Sequence, residues 1–145
     1  MRKSSHNKNR NKDKHSRAFA GVLSVHRDGY GFVAPDGGGE DIFIPARYLR
    51  ENLHGDRVEV ESQFHGKGSK TEGRITKTLD RAVKRVTGIF SIRHSGGILR
   101  PNDERLPVCA VPSTLSGGAH DGEVIVAEIV SYPKDGQPAS VRVIE

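Results

Sequence analysis

Three aromatic residues at strand spacing, Tyr30, Phe32 and Phe43, are the side chains in this sequence best placed to do chemistry. They sit in Gly29-Tyr-Gly-Phe-Val-Ala-Pro and Asp41-Ile-Phe-Ile-Pro, two apolar runs joined by Asp36-Gly-Gly-Gly-Glu. Successive side chains of an extended strand point to opposite faces. With strands predicted over Tyr30–Ala34 and Asp41–Ile44, Tyr30, Phe32 and Ala34 share one face and Val33 takes the other. Ile42 and Ile44 share a face opposite Phe43. If Val33, Ile42 and Ile44 form a core, the three rings stand together outside it. Exposed flat rings stack on nucleic-acid bases, at about 1–3 kcal/mol per base and with little regard to sequence. Gly29 and Gly31 leave the backbone bare for a close approach. For any one ring, a place in the core is the plainer reading; the alternation and the flanking glycines favour binding for the set.

Charge limits how such a face could hold a polyanion. Residues 1–17 carry seven Lys or Arg against Asp13 alone, a net +6, where the whole chain is +5. The other 128 residues carry 16 basic and 17 acidic side chains and are nearly neutral. A second cluster, Arg81, Lys84 and Arg85, has no acid between residues 81 and 87. Phosphate affinity therefore falls to the basic leader and to this cluster. Arg27, Arg47 and Arg74 are candidate phosphate contacts, though for each alone a plain surface charge is the simpler reading. His26, just before the turn Arg27-Asp28-Gly29, is a further stacking candidate, with an exposed loop histidine as the alternative.

The elements that must position these residues are short strands and glycine turns. Residues 1–17 hold no aliphatic residue after Met1 and are expected to be a disordered basic tail. A first folded unit spans 18–80, with strands over Ala20–His26, the two central runs, Asp56–Gln63 and Glu72–Leu79. A helical turn follows Pro45, and His65–Ser69 is a loop. Five short strands suit a small closed barrel of the oligonucleotide-binding type. Residues 81–87 read as a basic linker and 88–145 as a second unit. The second repeats the first: Gly21-Val-Leu-Ser matches Gly88-Ile-Phe-Ser, and Gly31-Phe-Val-Ala-Pro matches Gly97-Ile-Leu-Arg-Pro. Pro45 to Gly55 and Pro112 to Gly122 are both ten residues apart. The fold class is therefore all-β, two tandem five-stranded barrels after the tail. Gly96, Ile98 and Ala110 replace Tyr30, Phe32 and Phe43, so the second barrel keeps the scaffold and loses the stacking rings. Arg93, Arg100 and Arg105 could touch backbone there, but solvated loop charges are the simpler reading.

Catalysis finds little support. Asp36, Glu40 and Asp41 flank a turn and are not spaced as a metal cluster, whereas two-metal phosphoryl chemistry needs acids converging on ions about 3.5–4 Å apart. No nucleophile–base arrangement is suggested, and Gly37-Gly38-Gly39 lacks the Lys-Ser/Thr of a phosphate loop. No catalytic residue and no metal ligand is assigned. The lone Cys109, in Val-Cys-Ala-Val, excludes an internal disulfide and reads as a buried strand residue. No apolar run reaches membrane-spanning length and no hydrophobic segment follows the basic start, so a cytoplasmic monomer without membrane contact is expected.

Gly29-Tyr-Gly-Phe-Val and Asp41-Ile-Phe-Ile resemble the two ribonucleoprotein motifs of cold-shock domains. The wider run through Pro45, followed by His54-Gly-Asp-Arg-Val, resembles more closely the first cold-shock domain of the ribonuclease R and ribonuclease II exoribonucleases. The resemblance extends from about Ala20 to the C-terminus. It departs from cold-shock domains on the first strand, where Ser24-Val25-His26 stand in place of a Trp and a Lys. It implies barrels that guide the 3′ end of single-stranded RNA to a magnesium-dependent catalytic domain. That domain is expected after Glu145, and the magnesium belongs to it, so no cofactor is assigned to these residues. Single-stranded RNA is the expected partner, with single-stranded DNA a further candidate. Two rivals stay open: a free-standing RNA chaperone of the cold-shock type, and a protein-interaction module using the same aromatic face.

Overall fold

The computed structural model describes residues 16–63 and 72–145 and is built from ten strands. The expected tail over 1–15 and the loop His65–Ser69 lie outside the described residues. In the first barrel β1 (Ser16–Val25), β2 (Gly31–Pro35), β3 (Ile42–Ile44), β4 (Arg57–Gln63) and β5 (Glu72–Asp80) close in the order β1-β2-β3-β5-β4. The second barrel uses β6 (Arg85–Arg93), β7 (Gly96–Pro101), β8 (Cys109–Pro112), β9 (Val124–Ser131) and β10 (Ser140–Val143) in the corresponding order. In each, the third and fifth strands meet in parallel at a single pair, Phe43 with Glu72 and Ala110 with Ser140.

The duplication extends to single contacts. Gly21 pairs with Pro35 and Gly88 with Pro101. A Cβ added to either glycine would meet a carbonyl oxygen at 2.1 Å, of Ala34 in one barrel and Arg100 in the other. Strand-to-strand approach at that crossing thus admits no side chain. The Gly55 N–H donates to the Leu23 carbonyl at 2.8 Å, and the Gly122 N–H to the Phe90 carbonyl at 2.7 Å. A short 3-10 turn follows Pro45 over Ala46–Tyr48, and another follows Pro112 over Ser113–Leu115. The end of the first strand is capped by a side chain in both copies. The Val25 N–H donates to His54 Nδ1 at 3.0 Å, and the Ile92 N–H to Asp121 Oδ1 at 2.7 Å.

Alternating residues fill each core. Leu23, Val33, Ile42, Ile44, Val58 and Val60 form one; Phe90, Leu99, Val111, Ile125 and Val141 belong to the other. Cys109 is buried in the second, where desolvation pushes its thiol up to about 11.

Several boundaries move by a few residues. Ser16 and Arg17, placed in the tail from their polarity, open β1 opposite Gln63 and Ser62, because β4 is long enough to pair with them. Tyr30 falls one residue before β2, and β3 starts at Ile42, one residue after Asp41. The segment between the barrels shortens to residues 81–84, since Arg85 already opens β6 opposite Glu128. It is tied down: the Val83 carbonyl accepts from the Tyr132 hydroxyl at 2.7 Å, and the Lys84 carbonyl from the Ile129 N–H at 2.9 Å.

Candidate nucleic-acid interface

The candidate site is the outer face of β2 and β3 with the turn leading into β2. Beneath it Val33, Ile42 and Ile44 are 0%, 2% and 0% exposed, so the core is already filled by the inward set. Phe32 and Phe43 face each other across the β2–β3 ladder, and both rings, like Tyr30, remain partly exposed. Their centroids lie 5.7 Å apart, edge to face. Tyr30 sits 5.8 Å from each, edge-on to Phe32 and tilted to Phe43. Such spacings are those of mutually attractive aromatic pairs, worth about 0.5–1.5 kcal/mol each beyond area.

His26 extends the cluster. Its ring stacks on Tyr30 at 4.7 Å with planes 7° apart. The turn sets this: the His26 N–H donates to the Tyr30 carbonyl and the Gly29 N–H to the His26 carbonyl, both at 2.8 Å. Gly29 takes φ 103°, which favours glycine. The Asp28 N–H donates to His26 Nδ1 at 3.1 Å and holds the imidazole over the phenol. Four rings therefore form one continuous surface.

The arginines are distributed differently from the rings. Among the described residues, Arg27, Arg47, Arg57, Arg74, Arg81, Arg105 and Arg142 each pair with a carboxylate. Burial decides which are available to a phosphate. Arg27 and Glu104 lie 3.6 Å apart with side chains 69% and 72% exposed, and Arg74 sits 3.9 Å from Glu61. Exposed pairs contribute about 0–1 kcal/mol, so a phosphate can displace either carboxylate. Arg47 contacts Glu72 at 3.1 Å, and Glu72 pairs in register with Phe43, which brings this guanidinium to the edge of the ring cluster. Contacts with Tyr48 first, then Glu72, keep Arg47 protonated by raising its pKa.

Arg81 is different. It donates to Asp56 Oδ2 and to the Glu51 carbonyl, both at 2.9 Å, and its guanidinium lies 4.4 Å over the Tyr132 ring. Asp56 is fully buried, and its Oδ2 also accepts from Asn52 Nδ2 at 3.2 Å and the Leu53 N–H at 3.0 Å. Removing the cation would strand a buried charge at a cost of about 3–5 kcal/mol. Arg81 joins the two barrels and is not carried forward as a phosphate contact. Lys84 and Arg85 remain exposed beside it.

Tyr48 escaped the sequence reading. Its exposed ring lies 4.6 Å under the Arg47 guanidinium, a cation–π pair at the edge of the face. Strand alternation could not find it, because it belongs to the 3-10 turn. In the second barrel Arg105 is occupied by Asp103, which it holds at about 2, and by His54 at 3.0 Å from Nε2. Desolvation first and Arg105 second push the His54 pKa down. Arg93 donates to the Ile92 carbonyl at 3.0 Å. No group of three or more His, Cys, Asp or Glu able to hold a metal ion occurs among the described residues. No helix among them is long and apolar enough to cross a membrane.

Comparison with known proteins agrees with this architecture. Residues 21–78 match the model of the ribonuclease B OB domain, which is the first barrel almost end to end. Ribonuclease R of Acidithiobacillus ferrooxidans is 30% identical over 128 residues, covering 86% of this chain and 29% of that protein. In fold, 89% of the chain superposes on 23% of yeast Ssd1, a pseudonuclease, with a TM-score of 0.75 at 18% identity. Mycoplasma genitalium RNase R, solved in complex with ribose methylated single-stranded RNA, gives 0.73 at 20% identity over 87% of this chain and 21% of that one. The chain thus spans under a third of each of these relatives. Residues 21–78 match the ribonuclease B OB domain, and the chain is similar to part of ribonuclease R.

Proposed function

We propose that this chain binds single-stranded RNA, with little sequence preference, on the outer face of the first barrel. The carrying observation is that Tyr30, Phe32 and Phe43, with His26 stacked on Tyr30, form one partly exposed aromatic surface over a core that is filled without them. Burying these rings was open to the fold, since the face opposite holds only aliphatic side chains. Arg27, Arg47 and Arg74 hold phosphates around the rings by displacing weakly paired carboxylates, and Lys84, Arg85 and the basic leader extend that contact.

The resemblance to ribonuclease R supports placing this surface in a 3′–5′ exoribonuclease, as a cold-shock-type module that guides RNA. The solved RNA complex of the Mycoplasma genitalium enzyme fits this partner. Hydrolysis, with its magnesium, is assigned to a catalytic domain and not to these barrels, which act as a cytoplasmic monomer. Three stacking sites supply roughly 3–9 kcal/mol before the costs of ordering strand and side chains, so micromolar affinity for an octanucleotide is expected. Fluorescence anisotropy of labelled octauridylate tests this, with the variant Phe32→Ala/Phe43→Ala expected to bind at least about tenfold more weakly.

A further inference from the structure

The second barrel reaches the turn below the rings through the loop between β7 and β8. Glu104 of that loop pairs with Arg27 of the turn at 3.6 Å. Its neighbours grip each other: the Arg105 backbone N–H and Nε both donate to Asp103 Oδ1 at 2.9 Å, and Nη2 donates to Oδ2 at 2.8 Å. This fork occupies one edge of the guanidinium and leaves Nη1 aimed at His54 Nε2, 3.0 Å away. The other nitrogen of that ring, Nδ1, lies 3.0 Å from the Val25 N–H at the end of β1. A donor therefore faces each ring nitrogen. Arg105 and Asp103 are the charged groups that act on His54; burial and Arg105 lower its pKa and keep the ring neutral. A neutral imidazole has one acceptor nitrogen, so the two bonds exclude each other. With the proton on Nε2, Nδ1 accepts from Val25 and the guanidinium meets an N–H. With the proton on Nδ1, Arg105 has its acceptor and the Val25 N–H has none.

We propose that Arg105 is a positioning residue for the aromatic face: it competes with the Val25 N–H for the one acceptor nitrogen of His54, and so sets how firmly the His26 turn is held. Val25 directly precedes His26, whose N–H donates to the Tyr30 carbonyl and whose carbonyl accepts from Gly29, both at 2.8 Å. That turn seats the imidazole of His26 over Tyr30. A capped Val25 fixes the point from which the turn starts. The competition is close because each donor has one advantage. The Arg105 bond is charge-assisted, but its side chain is 48% exposed and can turn to water. The Val25 N–H is partly buried and is the costlier to leave unmade. The second barrel has no such conflict. There the equivalent of His54 is Asp121, whose carboxylate caps the Ile92 N–H at 2.7 Å and can accept several bonds at once. The inference rests on the reading that the rings bind single-stranded RNA and names what regulates that face. It gives the barrel without rings a part in the binding.

The test is imidazole ¹H–¹⁵N correlation NMR of the full chain at about pH 8, where histidine is neutral, read beside amide hydrogen exchange. In wild type, His54 is expected to interconvert between both tautomers. Arg105→Met should leave the Nε2–H tautomer alone and slow exchange of the Val25 and Gly29 amides at least about threefold. It should also tighten octauridylate about twofold, as the held turn becomes the main population. His54→Asp copies the second barrel's cap, and in that background Arg105→Met should change neither amide. A single His54 tautomer shared by wild type and Arg105→Met would overturn the proposal. So would a tautomer change with both amides unmoved, or slowed amides with octauridylate affinity unchanged. A tautomer change with slowed amides, in proteins that bind no octauridylate at all, would support the positioning role and overturn the RNA reading instead.

Discussion

The two barrels share a scaffold and differ in what they show to solvent. At equivalent places on the outer face, Phe32 faces Phe43 in the first barrel and Ile98 faces Ala110 in the second. Inside, the match is close: the same strand order, the same crowded glycine at the first crossing, the same capped strand end. Residues that determine the barrel are thus separable from residues that give it a surface chemistry. The second copy serves as a natural control for the first, with the rings removed and the fold kept.

The scaffold half of this comparison predicts the largest effects. Gly21→Ala and Gly88→Ala each push a Cβ to 2.1 Å from a carbonyl oxygen that cannot retreat without opening the sheet. Each should cost about 3 kcal/mol or more, equally in the two barrels, by urea denaturation. A large cost in one copy only would end the equivalence. Arg81→Met comes next, at about 3 kcal/mol, because Asp56 is left buried without its ion-pair partner. Arg47→Met, which breaks an exposed pair, should change stability by under about 0.5 kcal/mol in the same assay.

The surface half can be tested by transplantation. Ile98→Phe with Ala110→Phe writes the ring pair onto the second barrel at register-matched positions. Octanucleotide affinity should rise about thirtyfold, two added stacks being worth about 1 kcal/mol each. No gain would mean that rings alone do not make the face, and that the stacked His26 and the Arg47–Tyr48 pair are also required.

The smallest difference is one of pH. His54 caps the first barrel's strand through an acceptor nitrogen, and its pKa is depressed below the ordinary 6.5 by burial and by Arg105. A depressed pKa contributes stability that is present above pH 6.5 and lost as pH falls through the folded value. Protonation turns Nδ1 into a donor facing the Val25 N–H. The second barrel caps the equivalent strand with Asp121 and has no imidazole there. Thermal unfolding should show wild type losing stability between pH 7 and 5, and His54→Gln losing less.

Most of the fold was legible in the sequence because both signals are local. Alternation in Phe32-Val-Ala and Ile42-Phe-Ile separates core from surface, and glycines at equal spacing betray the repeat. What was not legible depends on partners distant in the chain. Arg81 looks like a linker charge until Asp56, 25 residues away, and Tyr132 are seen around it. Ser16 and Arg17 look like tail until β4 extends to meet them. The ion pairs that occupy Arg27, Arg47 and Arg74 join residues 77, 25 and 13 positions apart, so charge counting registers their sum and not their pairing.

The most direct measurement is the affinity for octauridylate of Phe32→Ala/Phe43→Ala beside that of Ile98→Ala, which trims the matching position of the second barrel. Circular dichroism of each confirms the fold. The account predicts at least about a tenfold loss for the first and no change for the second. Equal affinities for both variants and wild type would contradict it.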